Sequence, residues 1–221
     1  MVSIRHGSPH DRLPNQINYR AQAWALAEAG CGALVVNSSV GVLVAELPLY
    51  TPLLVTDLLM PENRLPDGST CTIFPEPVPD QWHLVLTGGL FSEPLGAQLR
   101  SLAGARVGGD PGTSVVFVYA GGPRSKTPAE NRYWATVGGQ VNSMTLGPEV
   151  VLANELGIAT AALVVGHKRS VPGVRIPPVP DLRQTLVDAR AATESILTEF
   201  LLHGTPVPFG NSFYRYGDAD G

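Results

Sequence analysis

Two cysteines, Cys31 and Cys71, are all that the 221 residues provide. With no CxxC and no Cys/His cluster, they exclude a disulfide framework and a thiolate zinc site. Charge is also scarce. Only 15% of residues are charged, the net charge is −4, and basic residues form no run. Nucleic acid is therefore not expected as a partner. No apolar stretch reaches membrane-spanning length, so no membrane partner is expected either. The opening MVSIRHG lacks the apolar core of a signal peptide, which makes a reducing cytoplasm the expected compartment. GxGxxG, P-loop and GxSxG signatures are missing, as are internal repeats and low-complexity segments. RVGGDPG, at 106–112, looks like a turn.

What is present describes a globular chain. Apolar residues make up 44%, enough at this length for a full core in a single domain spanning 1–221. Twenty prolines imply many rigid loops. The informative stretch is 121–157, GGPRSKTPAENRYWATVGGQVNSMTLGPEVVLANELG. Thr127-Pro128-Ala129-Glu130 has a hydroxyl at the N-cap, proline at the first helical position and a carboxylate three residues after the cap, so a helix starts there. Gly138-Gly139 ends it. Val141–Met144 is a short buried strand end, and Gly147-Pro148-Glu149 opens a second helix that Gly157 closes. Two helix N-termini beside a polar strand end suit an anionic or hydroxyl-rich ligand, although ordinary α/β punctuation reads the same way.

Elsewhere, Met1–Ile4 reads as the tail of a strand. Gln16–Ala29 is a helix whose apolar face holds Ile17, Tyr19, Ala21, Trp24, Ala25 and Leu26. Ala33–Val36, Thr51–Val55, Leu84–Thr87, Ser114–Ala120 and Ala159–Val165 are strand candidates, several of the buried parallel type. Residues 60–82 form a long irregular region of the sort that is functional or poorly ordered. Leu95–Leu102 and Asp181–Leu202 are helical, the latter amphipathic, and 173–180 is a loop. From Gly204 onward the tail is expected to be loose. Strands alternating with helices indicate the α/β class, with a mostly parallel twisted central sheet flanked by helices. Ligands of such sheets bind beyond the strand C-termini. There the chain offers Asn37-Ser38-Ser39, Gly121–Lys126, Asn142–Thr145 and His167-Lys168-Arg169.

Four motifs carry a family likeness: RHGSPHDRLPNQINYRAQAWAL, VVNSSVG, GGPRSKTPAEN and GGQVNSMTLGPEVVLANELGI. In this order, from Arg5 to Val165, they resemble the purine nucleoside phosphorylase family, and within it the trimeric methylthioadenosine/methylthioinosine branch. The resemblance implies a nucleoside or nucleoside-like small molecule as ligand. Arg5, His6, Ser38 and Thr145 then correspond to phosphate-binding groups, Met144 to the residue packed against the ribose, and Ser39 to a position along sugar and base. His10 lies near the 5′ end of the nucleoside unless it is only a surface loop residue. Asn142 and Ser125 complete the substrate-binding set. It further implies displacement at the anomeric carbon with phosphate as co-substrate, no other cofactor and no metal, and a homo-oligomer, trimeric or trimer-based.

The departures from the family pattern are specific. The leading strand and glycine-rich loop of family members have no counterpart before Arg5; either the start is misplaced or half of the phosphate site is lacking. The base-stacking phenylalanine falls at Ser125, its neighbour at Lys126, and the residue bonding the base N7 at His167. Lys126 and His167 are thus the catalytic candidates of an unusually basic base pocket, to which Lys168 and Arg169 belong unless they are merely solvated. Glu130 and Glu149 read as helix-terminus carboxylates rather than catalytic acids. Three functions stay open at this point: a glycosyl-transferring phosphorylase, a phosphate-independent hydrolase or diverged biosynthetic enzyme acting on an anionic nucleoside-like substrate, and a non-catalytic ligand-binding relative.

Overall fold

A computed structural model of the chain describes residues 1–107, 113–171 and 178–215. The 108–112 part of the expected turn, the 173–177 part of the expected loop and the final residues of the tail lie outside these. In chain order the elements are α1 (Tyr19–Glu28), β1 (Ala33–Val42), β2 (Pro52–Leu59), β3 (Trp82–Val85), α2 (Glu93–Val107), β4 (Ser114–Tyr119), α3 (Pro128–Thr136), β5 (Val141–Ser143), α4 (Gly147–Glu155), β6 (Ala159–Arg169), α5 (Leu182–His203) and β7 (Ser212–Arg215).

The α/β class and the mostly parallel sheet hold. Five strands run in the order β1-β5-β4-β2-β6, and the sheet closes on itself as a barrel. The pairs β1–β6, β2–β4 and β4–β5 are parallel, whereas β1–β5 and β2–β6 are antiparallel. Period-two alternation divides the strand side chains between two cores. Leu53, Val55, Val115, Phe117, Ala162 and Val164 fill the barrel interior. Leu54, Ala161 and Leu163, one residue out of phase, pack outward with Leu95 and Leu99 of α2 and Ile196 of α5. A third cluster joins α1, α4 and the loop after β2 through Tyr19, Ala23, Cys71, Ile73 and Leu152.

Several expectations need correction. Met1–Ile4 is not a strand. It is exposed, and the chain turns at once, the Gly7 N–H donating to Ile4 O at 3.0 Å. The buried face of α1 is Tyr19 and Ala23, which meet α4, while Ala21, Trp24 and Ala25 face out. β1 and β6 are longer than their apolar runs, so Asn37-Ser38-Ser39 and His167-Lys168-Arg169 lie within strands, not beyond them. Residues 60–81 contain no strand or helix, yet they are tied down. Arg20 donates to Thr72 O at 2.7 Å and to Thr70 O at 2.8 Å, and the Ile73 N–H donates to Glu155 at 2.6 Å. The tail is held as far as Arg215, because β7 pairs antiparallel with β3 and Thr205 exchanges hydrogen bonds with Gln98.

Candidate active site

The third and fourth motifs are positioned by two helix starts. At α3, Thr127 accepts from the Glu130 N–H at 3.2 Å while Glu130 accepts from the Thr127 N–H at 2.7 Å, the reciprocal arrangement that the sequence pattern predicts. Arg124 holds the same carboxylate through two bonds of 2.7 and 2.9 Å. Together they keep the Glu130 carboxyl at about 2. The turn carrying Ser125 and Lys126 is therefore pinned at both ends. At α4 the chain takes a rarer form. Leu146 has φ +74° and ψ −51°, and the Gly147 N–H donates to Thr145 O at 2.9 Å. A side chain in this tight three-residue turn costs energy, and such turns persist only where surroundings enforce them. Here Leu146 is fully buried, and its N–H donates to Glu149 at 2.9 Å. The result is that Thr145 projects its hydroxyl toward β1, 3.3 Å from that of Ser38.

The other oxygen of Glu149 accepts from Arg5 Nε at 2.7 Å, and Arg5 Nη1 donates to Asn37 O at 2.8 Å. Glu149 is thus a helix-terminus carboxylate, as read from sequence, and also the counter-ion of Arg5. That second role joins positions 144 residues apart and has no local signal. His6 lies beside this pair. Its Nδ1 is 2.8 Å from Arg12 O, so that nitrogen carries the proton and Nε2 is left for a ligand. His10 stacks on His6 with ring centroids 4.3 Å apart.

At the far end, β6 contains a bulge. Val40 pairs with Gly166 and Gly41 with Lys168, so His167 has no partner in the register. Consecutive residues of a regular strand face opposite ways; an inserted residue breaks that rule and re-aims its neighbours. His167 and Lys168 consequently face the same cavity. Lys126 reaches it from the α3 turn. Burial, and then the Lys168 charge, push the Lys126 ammonium down to about 8. Half-enclosure of the His167 ring, and again Lys168, depress its pKa below the ordinary histidine value, the Val40 backbone opposing this in part. Arg169 turns away and donates to Val44 O at 3.0 Å.

All eleven candidates, Arg5, His6, His10, Ser38, Ser39, Ser125, Lys126, Asn142, Met144, Thr145 and His167, line one cavity of about 540 Å³. Sequence reasoning missed Asn131, which accepts from the Asn142 amide at 3.0 Å, and Gly41 and Ser170, which share the lining. Among the described residues, no three His, Cys, Asp or Glu side chains gather as a metal site.

Residues 1–201 match the model of the phosphorylase superfamily. A probable S-methyl-5′-thioinosine phosphorylase of Methanopyrus kandleri is 38% identical over 72% of this chain and 59% of its own length. For the S-methyl-5′-thioadenosine phosphorylase of Anopheles gambiae the figures are 29%, 75% and 58%, and for the 6-oxopurine nucleoside phosphorylase of Pyrococcus furiosus 32%, 78% and 65%. The chain spans 52–59% of the length of the first three curated relatives it matches. The fold matches that of a methylthioadenosine phosphorylase from Schistosoma mansoni solved with tubercidin, with a TM-score of 0.72 at 22% identity over 90% of this chain and 74% of that one.

Proposed function

The chain belongs to the phosphorylase superfamily, and from that membership we propose that it cleaves the N-glycosidic bond of a purine nucleoside, with phosphate as co-substrate and no other cofactor. The observation that carries this reading is the single cavity lined by residues from all four motifs. Arg5, His6, Ser38 and Thr145 supply a guanidinium, an imidazole and two hydroxyls, a set suited to hold an oxyanion. Met144, which lines the same cavity, supports the sugar. A phosphate oxygen bonds to the anomeric carbon as the bond from that carbon to the base nitrogen breaks. The electron pair of the broken bond leaves with the base, which takes up one proton. The products are a sugar 1-phosphate and the free purine. Cleavage develops positive charge on the sugar, which the bound anion stabilises. Lys126, pushed down to about 8, is still mostly protonated at neutral pH and is placed to give that proton. His167, neutral there, serves as a hydrogen-bonding partner of the base.

Release of purine from methylthioadenosine and inosine, with and without phosphate, tests the reading. Phosphate-dependent release supports it. Phosphate-independent release replaces it with hydrolysis, and ligand-induced thermal stabilisation without turnover replaces it with a binding function. No described helix is long and apolar enough to cross a membrane. The two free thiols agree with a cytoplasmic setting, which we adopt. We further propose a homo-oligomer, trimeric or trimer-based. The apolar side chains that α5 leaves exposed, Leu182, Leu186, Val187, Leu201 and Leu202, support it, and light scattering on the purified chain checks it.

A further inference from the structure

The cavity has a charge pattern that cleavage of a neutral nucleoside does not require. Arg5, Lys126 and Lys168 line it along with three histidines, and among the described residues no aspartate or glutamate does. The two carboxylates near its ends are committed elsewhere: Glu149 to Arg5 and the Leu146 N–H, Glu130 to Arg124 and the Thr127 N–H. Lys126 and Lys168 make no hydrogen bond or ion pair among the described residues, and the sequence from 169 to 180 adds no acidic residue.

The cations form two groups. Arg5 is anchored at Asn37 O, next to Ser38. Lys168 is in register with Gly41, three residues further along β1, or about 10 Å away at the usual strand rise. That is the spacing of the main-chain anchor points, so the two groups approach the cavity from different positions along the strand. The second group is also built rather than incidental: a bulge at His167 sets two consecutive, solvent-accessible side chains against the cavity, and a doubly held turn brings Lys126 to the same cavity. Two ammonium groups facing one cavity with no ion-pair contact repel each other; the Glu130 charge, held by Arg124, offsets this only in part, and a ligand anion relieves the remainder.

We propose that the natural substrate is a nucleoside whose base carries a carboxylate, and that Lys126 and Lys168, with His167, select it; this rests on the nucleoside-cleaving reading above. The carboxylate accepts from both ammonium groups while phosphate occupies the Arg5 end, so the two anions sit at separate ends of one cavity. Of the two cations that the sequence leaves open, Lys168 is the specificity residue, and Arg169 is not, because it turns away to Val44 O.

The test compares adenosine with its N6-(1,2-dicarboxyethyl) derivative, both with phosphate, in the full chain and in Lys168→Met and Lys126→Met. The expected result is a kcat/KM at least tenfold higher for the dicarboxylate in the unaltered protein, with the ratio falling about tenfold or more in Lys168→Met. The ratio is measured within each variant, so partial unfolding does not move it. Lys126→Met lowers turnover of both compounds; its ratio is read from binding, by calorimetry. An equal or higher kcat/KM for adenosine overturns the inference while leaving nucleoside cleavage intact, as does a ratio unmoved by both variants. Failure to bind or cleave either compound overturns the nucleoside reading itself and the inference with it.

Discussion

Replacing Lys126 by methionine is expected to stabilise the protein at neutral pH while damaging its activity. The ammonium is lowered from an ordinary 10.5 to about 8, chiefly because folding removes it from water and secondarily because Lys168 is nearby. A lysine whose folded pKa is depressed opposes folding to the full extent below the folded value. Between the folded and unfolded values the unfolded chain binds the extra proton, so stability rises with pH, and above the unfolded value the penalty is gone. At about 1.4 kcal/mol per pH unit the whole shift corresponds to roughly 3 kcal/mol. The side chain is only partly buried, and solvent screening reduces this to about 1–2 kcal/mol. Methionine keeps the length of the aliphatic stem and removes the charge. Urea denaturation at a series of pH values reads the difference. The variant should be more stable by about 1–2 kcal/mol at pH 7, and the advantage should decline steadily from about pH 8 to about pH 10.5. A variant no more stable at pH 7, or one whose advantage does not change with pH, would refute the claim that Lys126 is held charged against its surroundings.

Removing the Glu149 carboxylate as Glu149→Ala deprives Arg5 of its partner and Leu146 of its acceptor in a mostly buried setting; a loss of about 2–4 kcal/mol in urea denaturation is expected, together with a raised KM for phosphate. Gly122→Ala would place a Cβ 2.6 Å from the Met144 sulfur. That flexible side chain can yield, so stability should fall by less than about 1 kcal/mol while KM for the nucleoside rises several-fold in steady-state assays. Cys71 is fully buried and its thiol is pushed up to about 12; titration of the native protein with a thiol reagent should leave it unmodified until denaturant is added.

Local signals were legible in the sequence where one element decides them. Thr127 and Glu130 specify the start of α3 without help from the rest of the chain, and Ser114–Tyr119 is a strand on composition alone. What failed was whatever depends on the partner. The reach of β1 through Asn37, Ser38 and Ser39 comes from pairing with β6, whose own polar end continues because β1 lies alongside it. Trp24 is 42% exposed, although its position fits an apolar face, because the surface against α4 needs only Tyr19 and Ala23. Barrel closure likewise follows from the antiparallel β1–β5 and β2–β6 pairings, and nothing in single-strand periodicity encodes those.

The site combines both kinds of information. Motif residues bring chemistry to strand ends, but two irregularities decide where that chemistry points. The turn at Leu146 aims Thr145 at Ser38, and its cost is offset by a buried leucine and the Glu149 carboxylate that also holds Arg5. The bulge at His167 aims a histidine and a lysine together at the opposite end. Regularising the first would misaim Thr145, and regularising the second would leave one side chain where two now face the cavity. Deleting His167 should therefore restore the alternation of β6 and leave Lys168, still opposite Gly41, as the one side chain of the pair that faces the cavity, with phosphate affinity and the preference for a carboxylate on the base both largely kept while the imidazole is lost. Phosphate affinity, read by calorimetry on a variant whose circular dichroism matches the parent, separates this outcome from general damage to the fold. A deletion variant that loses its preference for the dicarboxylate would show that Lys168 does not take the position opposite Gly41 once the extra residue is gone.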